Sequence, residues 1–167
     1  DPNSDYVNIG SIRPQESSGF ADDDYRDLAA RYGEISPRVF VFGGETSDRR
    51  LKVVFGRLSF EQQAMVLGLD PLADAEEFNA FVRIVRQIET VEYTLDDVMA
   101  KVRASFDDDV RRLGLRIDNL GIQRQSIWAG SDEPVLDQLA PDWRMMVADI
   151  GSLPSAVEGS IAAAGLL

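Results

Sequence analysis

Leu95, Val98, Val102, Phe106, Val110, Leu113, Ile117 and Leu120 follow one another at steps of three and four. The mean step is about 3.6 residues, between the coiled-coil and straight-helix repeats. A strand turns its side chains to alternate faces and cannot put all eight on one side. The spacing therefore predicts one continuous helix. Thr94 supplies a hydroxyl cap at its start, and Asp96 and Asp97 follow where acids suit the helix dipole. Arg111 and Arg112 stand four residues behind Asp107 and Asp108, a distance that favours pairing on a helix. Such a helix would be nearly 38 Å long. A compact domain of this chain length has a radius of gyration of only about 15 Å, so part of the stripe is expected to pack on another chain. Gly114 and Gly121 each cost about 1 kcal/mol against Ala inside a helix. They either permit close helix approach or mark breaks.

The remaining pattern is also mostly helical. Ala21–Tyr32 opens with three aspartates, carries Tyr25, Leu28, Ala29 and Tyr32 on one face, and is followed by Gly33, a helix stop. Ser59 and Gln62 have the form of a capping box, with Gly68 as the stop. Asp74 then leads a helix over Ala75–Glu89, whose apolar residues Phe78, Phe81, Val82, Val85 and Ile88 fall at helical spacing. Ser131–Pro134 restarts a short helix, and Pro141–Ile150 reads as another, through Trp143, Met146 and Val147. One β element interrupts this. Val39–Phe42 is a dense run of β-formers closed by Gly43 and Gly44, and Leu51–Phe55 is its expected partner in a hairpin. The fold class expected is mostly α (α+β), a helical bundle-like body with one small β-hairpin near 38–55. An N-terminal arm spans 1–19, the body 20–151 and a weakly structured C-terminal tail 152–167.

Charge and composition narrow the function. The chain has 167 residues and a net charge of −12. The acid is concentrated at the two ends, and Thr94–Trp128 is balanced at six acids and six bases. Such a chain repels nucleic acid and anionic lipid at long range. Its first effect is to keep the protein soluble. No apolar run approaches the roughly 20 residues of a membrane helix. There is no cysteine and no histidine. That removes disulfides, thiolate metal sites, thiol nucleophiles, the usual zinc ligand and every Ser-His-Asp arrangement. Any catalysis would rest on carboxylates, Tyr, Lys, Arg or a borrowed cofactor. The first residue is Asp1, so a processed or truncated start is one reading of the N-terminus.

Motifs that suggest chemistry fail on their details. Asp1, Asn3 and Asp5 resemble the start of a calcium loop, but Tyr6 and Ile12 stand where that loop needs Gly and Glu. Gly43 and Gly44 follow a strand without either glycine-rich phosphate signature. Asp22–Asp24 and Asp107–Asp109 are consecutive, so on a helix their carboxylates point about 100° apart and do not converge on one ion. Glu76 with Glu92, or Glu61 with Glu89, would make a glycosidase pair only if the fold brought them within about 5–10 Å and raised one pKa. The four tyrosines and scattered arginines form no base-stacking signature.

Aromatic and methionine residues are enriched in protein interfaces, which draws attention to Trp128, Trp143 and Met146. With the stripe, the candidate interface is Val98, Val102, Phe106, Val110, Leu113, Ile117, Leu120, Trp128, Trp143 and Met146. The expected function is a non-enzymatic protein–protein interaction or assembly protein: an adaptor, a chaperone-like factor or a subunit of a larger particle. Its partner is another protein or a second copy. No cofactor, metal or nucleic acid is expected, and the compartment is not encoded. The alternatives are a small-molecule-binding or carboxylate-dependent enzyme, and an acidic mimic that occupies a basic protein surface.

Overall fold

A computed structural model describes residues 6–17, 19–44, 49–88, 90, 92–130 and 144–166. Among them the chain is mostly α with a small β element. It divides into two units, each treated by itself below. One takes the described residues of Asp1–Leu51 and Leu136–Ser155; the other takes those of Lys52–Val135 and Ala156–Leu167.

The second unit holds most of the apolar core. Ser59 opens α2 (Phe60–Val66) with the expected capping box: its hydroxyl accepts from the Gln62 N–H, and the Gln62 side chain returns to the Ser59 N–H. Thr94 and Asp97 do the same for α4 (Leu95–Ala104). Helix α3 (Ala75–Arg86) ends earlier than the sequence pattern suggests. Its Asp74 does not cap the first turn. That carboxylate instead accepts from the Asp70 N–H and from Arg116. The predicted long helix is two helices. Helix α4 stops at Ala104, Ser105 and Phe106 turn the chain, and Asp107 caps α5 (Asp108–Leu120) by accepting from the Asp109 and Val110 N–H groups. An aspartate three residues before an apolar position serves equally as a helical side chain or as a fresh N-cap, and the period alone does not separate the two.

The two stripe glycines divide the roles foreseen for them. A Cβ on Gly114 would lie 2.7 Å from Val102 Cγ1, so Gly114 is where α5 comes close to α4. Gly121 has φ +65° and closes α5 in the left-handed conformation.

Phe55 sits at the centre of this core, edge-on to Phe81, Tyr93 and Trp128 at centroid distances of 6.4, 6.1 and 5.6 Å. Phe60 stacks on Phe81 at 5.2 Å. Buried Gln63 is fully bonded. Its amide donates to the Phe55 and Leu58 carbonyls, and its oxygen accepts from the Tyr93 hydroxyl. The residues expected to form a weak tail make helix α6 (Ala156–Gly165), with Glu158, Ile161 and Ala162 buried. Alanine is the strongest helix former, and small residues let the helix approach: a Cβ on Gly165 would meet Val53 at 2.8 Å.

The first unit is smaller. Helix α1 (Asp22–Ile35) runs through Gly33 and ends ahead of Pro37, which has no N–H to continue the ladder. Strand β1 (Val39–Phe42) forms as expected, but its partner is not the 51–55 segment. It pairs in parallel with β2 (Met145–Ala148), Phe42 opposite Ala148. Leu51, Val53 and Phe55 point inward as a strand pattern would. Their backbone goes elsewhere: Val53 makes a bridge with Trp128, and Phe55 begins a 3-10 turn. The 145–148 residues, read as helix, are strand because their backbone pairs with β1; only Val147 is β-branched, so tertiary pairing and not local propensity decides the conformation. The helix expected at Ser131–Pro134, and the start of the one at Pro141, lie outside the described residues. Gly44 is held by the Ser152 hydroxyl at 2.8 Å, and any Cβ there would stand 2.3 Å from the Ser152 carbonyl oxygen.

Candidate interaction surface

The stripe splits by burial along its length. Val98, Val102, Val110, Leu113 and Ile117 are buried in the core of the second unit. Phe106, the residue at which the stripe turns, is 100% exposed, and Leu120 is half exposed. Trp128 packs on Phe55 and gives its indole N–H to the Ile122 carbonyl at 2.8 Å. Met146 lies half-buried in β2. Trp143 is outside the described residues.

Phe106 stands at the mouth of an open groove of about 360 Å³. Met99 and Val102 of α4 and Gly114 of α5 form its buried floor. Arg103, Arg111, Leu115 and Asp118 form its rim. On α4 the lining falls at 99, 102 and 103, with Ser105 and Phe106 on the turn that follows, and on α5 at 111, 114, 115 and 118. Both sets are the spacing of one helix face. Leu115 is 62% exposed. The sequence pattern passes over it because it stands off the stripe, on the polar side of α5. That misplacement of a large apolar side chain was the available signal.

The first unit carries a second apolar surface. Ile12, Phe20, Tyr25, Leu28 and Ala29 line an open cleft of about 250 Å³ with Arg13 at its side. Phe20 and Leu28 are about half exposed, and no residue of α1 is buried. The Tyr25 hydroxyl donates to the Arg13 carbonyl at 2.7 Å, which fixes the arm beside the helix.

Several charged groups of the second unit are joined to one another. Arg116 joins Asp74 and Glu77, each at 2.5 Å, and Arg112 joins Glu76 and Asp109. Burial opposes the Arg116 charge, but its hydrogen bonds to Glu77 and Asp74 outweigh that and raise its pKa. Glu61, Asp70, Asp74, Asp97 and Asp107 are all lowered, chiefly by backbone N–H groups that donate to the carboxylates. Glycosidase chemistry needs the opposite shift in one partner. Glu76 and Glu92 are tied to different arginines, Arg112 and Arg57, and both are exposed. Glu89 is outside the described residues. Buried Glu158 accepts from the Ser126 N–H at 2.6 Å, while Lys52 donates to the Ser126 and Trp128 carbonyls. Together they pin the 126–128 backbone. Among the described residues no cluster of three metal-ligating side chains occurs, and no helix is long and apolar enough to cross a membrane. The calcium-like residues Asp1, Asn3 and Asp5 are outside them.

No family model matches the chain, and no curated protein or solved structure shows significant similarity to it.

Proposed function

We propose that this chain is a non-enzymatic protein–protein interaction or assembly protein. The observation that carries the reading is Phe106. A fully exposed aromatic ring beside exposed Leu115, over a groove with an apolar floor, is a feature that water disfavours and a partner removes. The groove has the form that receives an amphipathic helix, since two helix faces flank it.

Size-exclusion chromatography with light scattering, at low and high salt, tests the proposal. An oligomer, or a stable complex with a protein from the same source, supports it. A monomer that forms no complex and is stabilised by a small ligand contradicts it and favours the enzyme reading.

A further inference from the structure

We propose that Arg38 and Arg144 form a binding site for the phosphate group of a phosphate monoester. The site goes beyond the interaction reading and stands apart from it, since it shares no lining residue with either apolar surface. Strands β1 and β2 bring the two arginines together. The Arg144 N–H donates to the Arg38 carbonyl at 2.9 Å, one step ahead of the Val39–Met145 pair. Paired strands run about 4.8 Å apart, so the two residues stand side by side. Both line one open cavity of about 520 Å³, together with Glu34 and Ile35.

Charge makes this arrangement unfavourable without a ligand. The chain carries 29 acidic and 17 basic residues, so an arginine has an excess of carboxylates to pair with. Arg57, Arg83 and Arg116 each hold one. Among the described residues Arg38 and Arg144 hold none, by ion pair or by side-chain hydrogen bond. Glu34 stands four residues before Arg38, the spacing of a helical ion pair. Helix α1 ends at Ile35, however, and the 3-10 turn Ser36–Arg38 takes Arg38 off that spacing. Like charges side by side on paired strands are destabilising, and an anion that bridges the two removes that cost. A guanidinium presents a planar fork of N–H donors that fits an oxyanion through two parallel bonds. A carboxylate has two oxygens and fills one fork. A phosphate monoester has three terminal oxygens and nearly two negative charges at neutral pH, enough to engage both. The cavity is of the size of small-molecule sites, about 300–1,000 Å³. It leaves room for the ester's carbon part beside Ile35, while Glu34 opposes the anion and weakens its binding.

The test is a titration of the full chain, labelled with 15N, in low-salt buffer at pH 7.5, read by NMR at the arginine Nε–H and backbone amide signals. The probes are O-phosphoserine and a peptide with one phosphoserine among neutral residues, and acetate is the comparison. Saturable shifts centred on Arg38 and Arg144 are expected with both phosphate probes, with binding of acetate weaker by about tenfold or more. Tighter binding of the peptide than of phosphoserine supports the site with a phosphorylated chain as its ligand; equal or weaker binding supports it with a free monoester. Arg38→Lys and Arg144→Lys keep the charge and lose the fork, and each is expected to weaken binding by about tenfold. Glu34→Gln is expected to tighten it several-fold. All three side chains are exposed, and circular dichroism checks that each variant folds. Shifts that never saturate, or that are as large at Arg103 as at Arg38 and Arg144, overturn the inference. So do acetate that binds as tightly as phosphoserine and lysine variants that bind like the wild type. None of these outcomes bears on the interaction reading.

Discussion

The two units differ in what holds them. Among the described residues, the Asp1–Leu51 and 144–155 unit buries only Phe42, Leu51 and Val147 of its large apolar side chains. The 52–130 and 156–166 unit holds the rest of the buried apolar side chains, including an aromatic cluster around Phe55. It also has two complete capping boxes and bonds its buried polar groups internally, as Gln63 does. The first unit has a 14-residue helix without a side-chain cap or a buried residue, and a sheet of two strands. A sheet of two strands is marginal without further packing. The contrast separates a body that carries its own core from a part whose apolar surface is still open.

The sharpest way to break this contrast is to cut each unit at an apolar side chain. Phe81→Ala removes a ring that is fully buried and stacked on Phe60, and is expected to cost about 3–5 kcal/mol in denaturant unfolding. Leu28→Ala in α1 is expected to change stability by less than about 0.5 kcal/mol in the monomer, as at an exposed site. Equal losses would mean that the units share one core.

Next in size is Gly114→Ala. The added methyl meets Val102, a stiff β-branched side chain, so α4 and α5 must separate, at about 1–3 kcal/mol. Unchanged stability would show that this crossing has slack. Thr94→Ala removes one half of a capping box and is expected to cost about 1 kcal/mol by the same measurement.

The smallest effect is pH. Asp70, Asp74, Asp97 and Asp107 hold pKa values below their ordinary ones through N–H groups that donate to the ionised form. Stability from a lowered carboxyl is complete above its unfolded pKa of about 4 and is lost as pH falls through the folded value. All four lie in the second unit. Its melting temperature, followed by Trp128 fluorescence in a Trp143→Phe background, should therefore fall below about pH 4 and stay level between about pH 5 and 7. A steady decline from neutral pH would point to groups other than these carboxylates.

What could be read from the sequence follows the same divide. The Ser59 capping box, the Thr94 cap, α3 and the class of fold were legible, because caps and helical periodicity are local signals. The break at Phe106 was not. Its apolar side chain continues the stripe's period, and the turn is set by Asp107 capping a new helix. The partner of β1 was also hidden. A parallel pair is joined through a long connection, here from Phe42 to Met145, and no local pattern encodes a register across that separation. The exposed apolar residues were legible in part. Phe106 belonged to the stripe and was singled out for the wrong local structure, a position within one continuous helix. Leu115 stood off the stripe, and Phe20 and Leu28 carry no signal beyond being apolar on an acidic segment.

Amide hydrogen exchange across a dilution series tests the central contrast most directly. The account predicts that α5 amides from Arg112 to Ile117 stay slow at every concentration. It predicts that α1 amides from Arg26 to Arg31 exchange faster than these in the most dilute sample. Exchange from α1 as slow as from α5 in the most dilute sample would contradict it, and would mean that the first unit is complete without a partner.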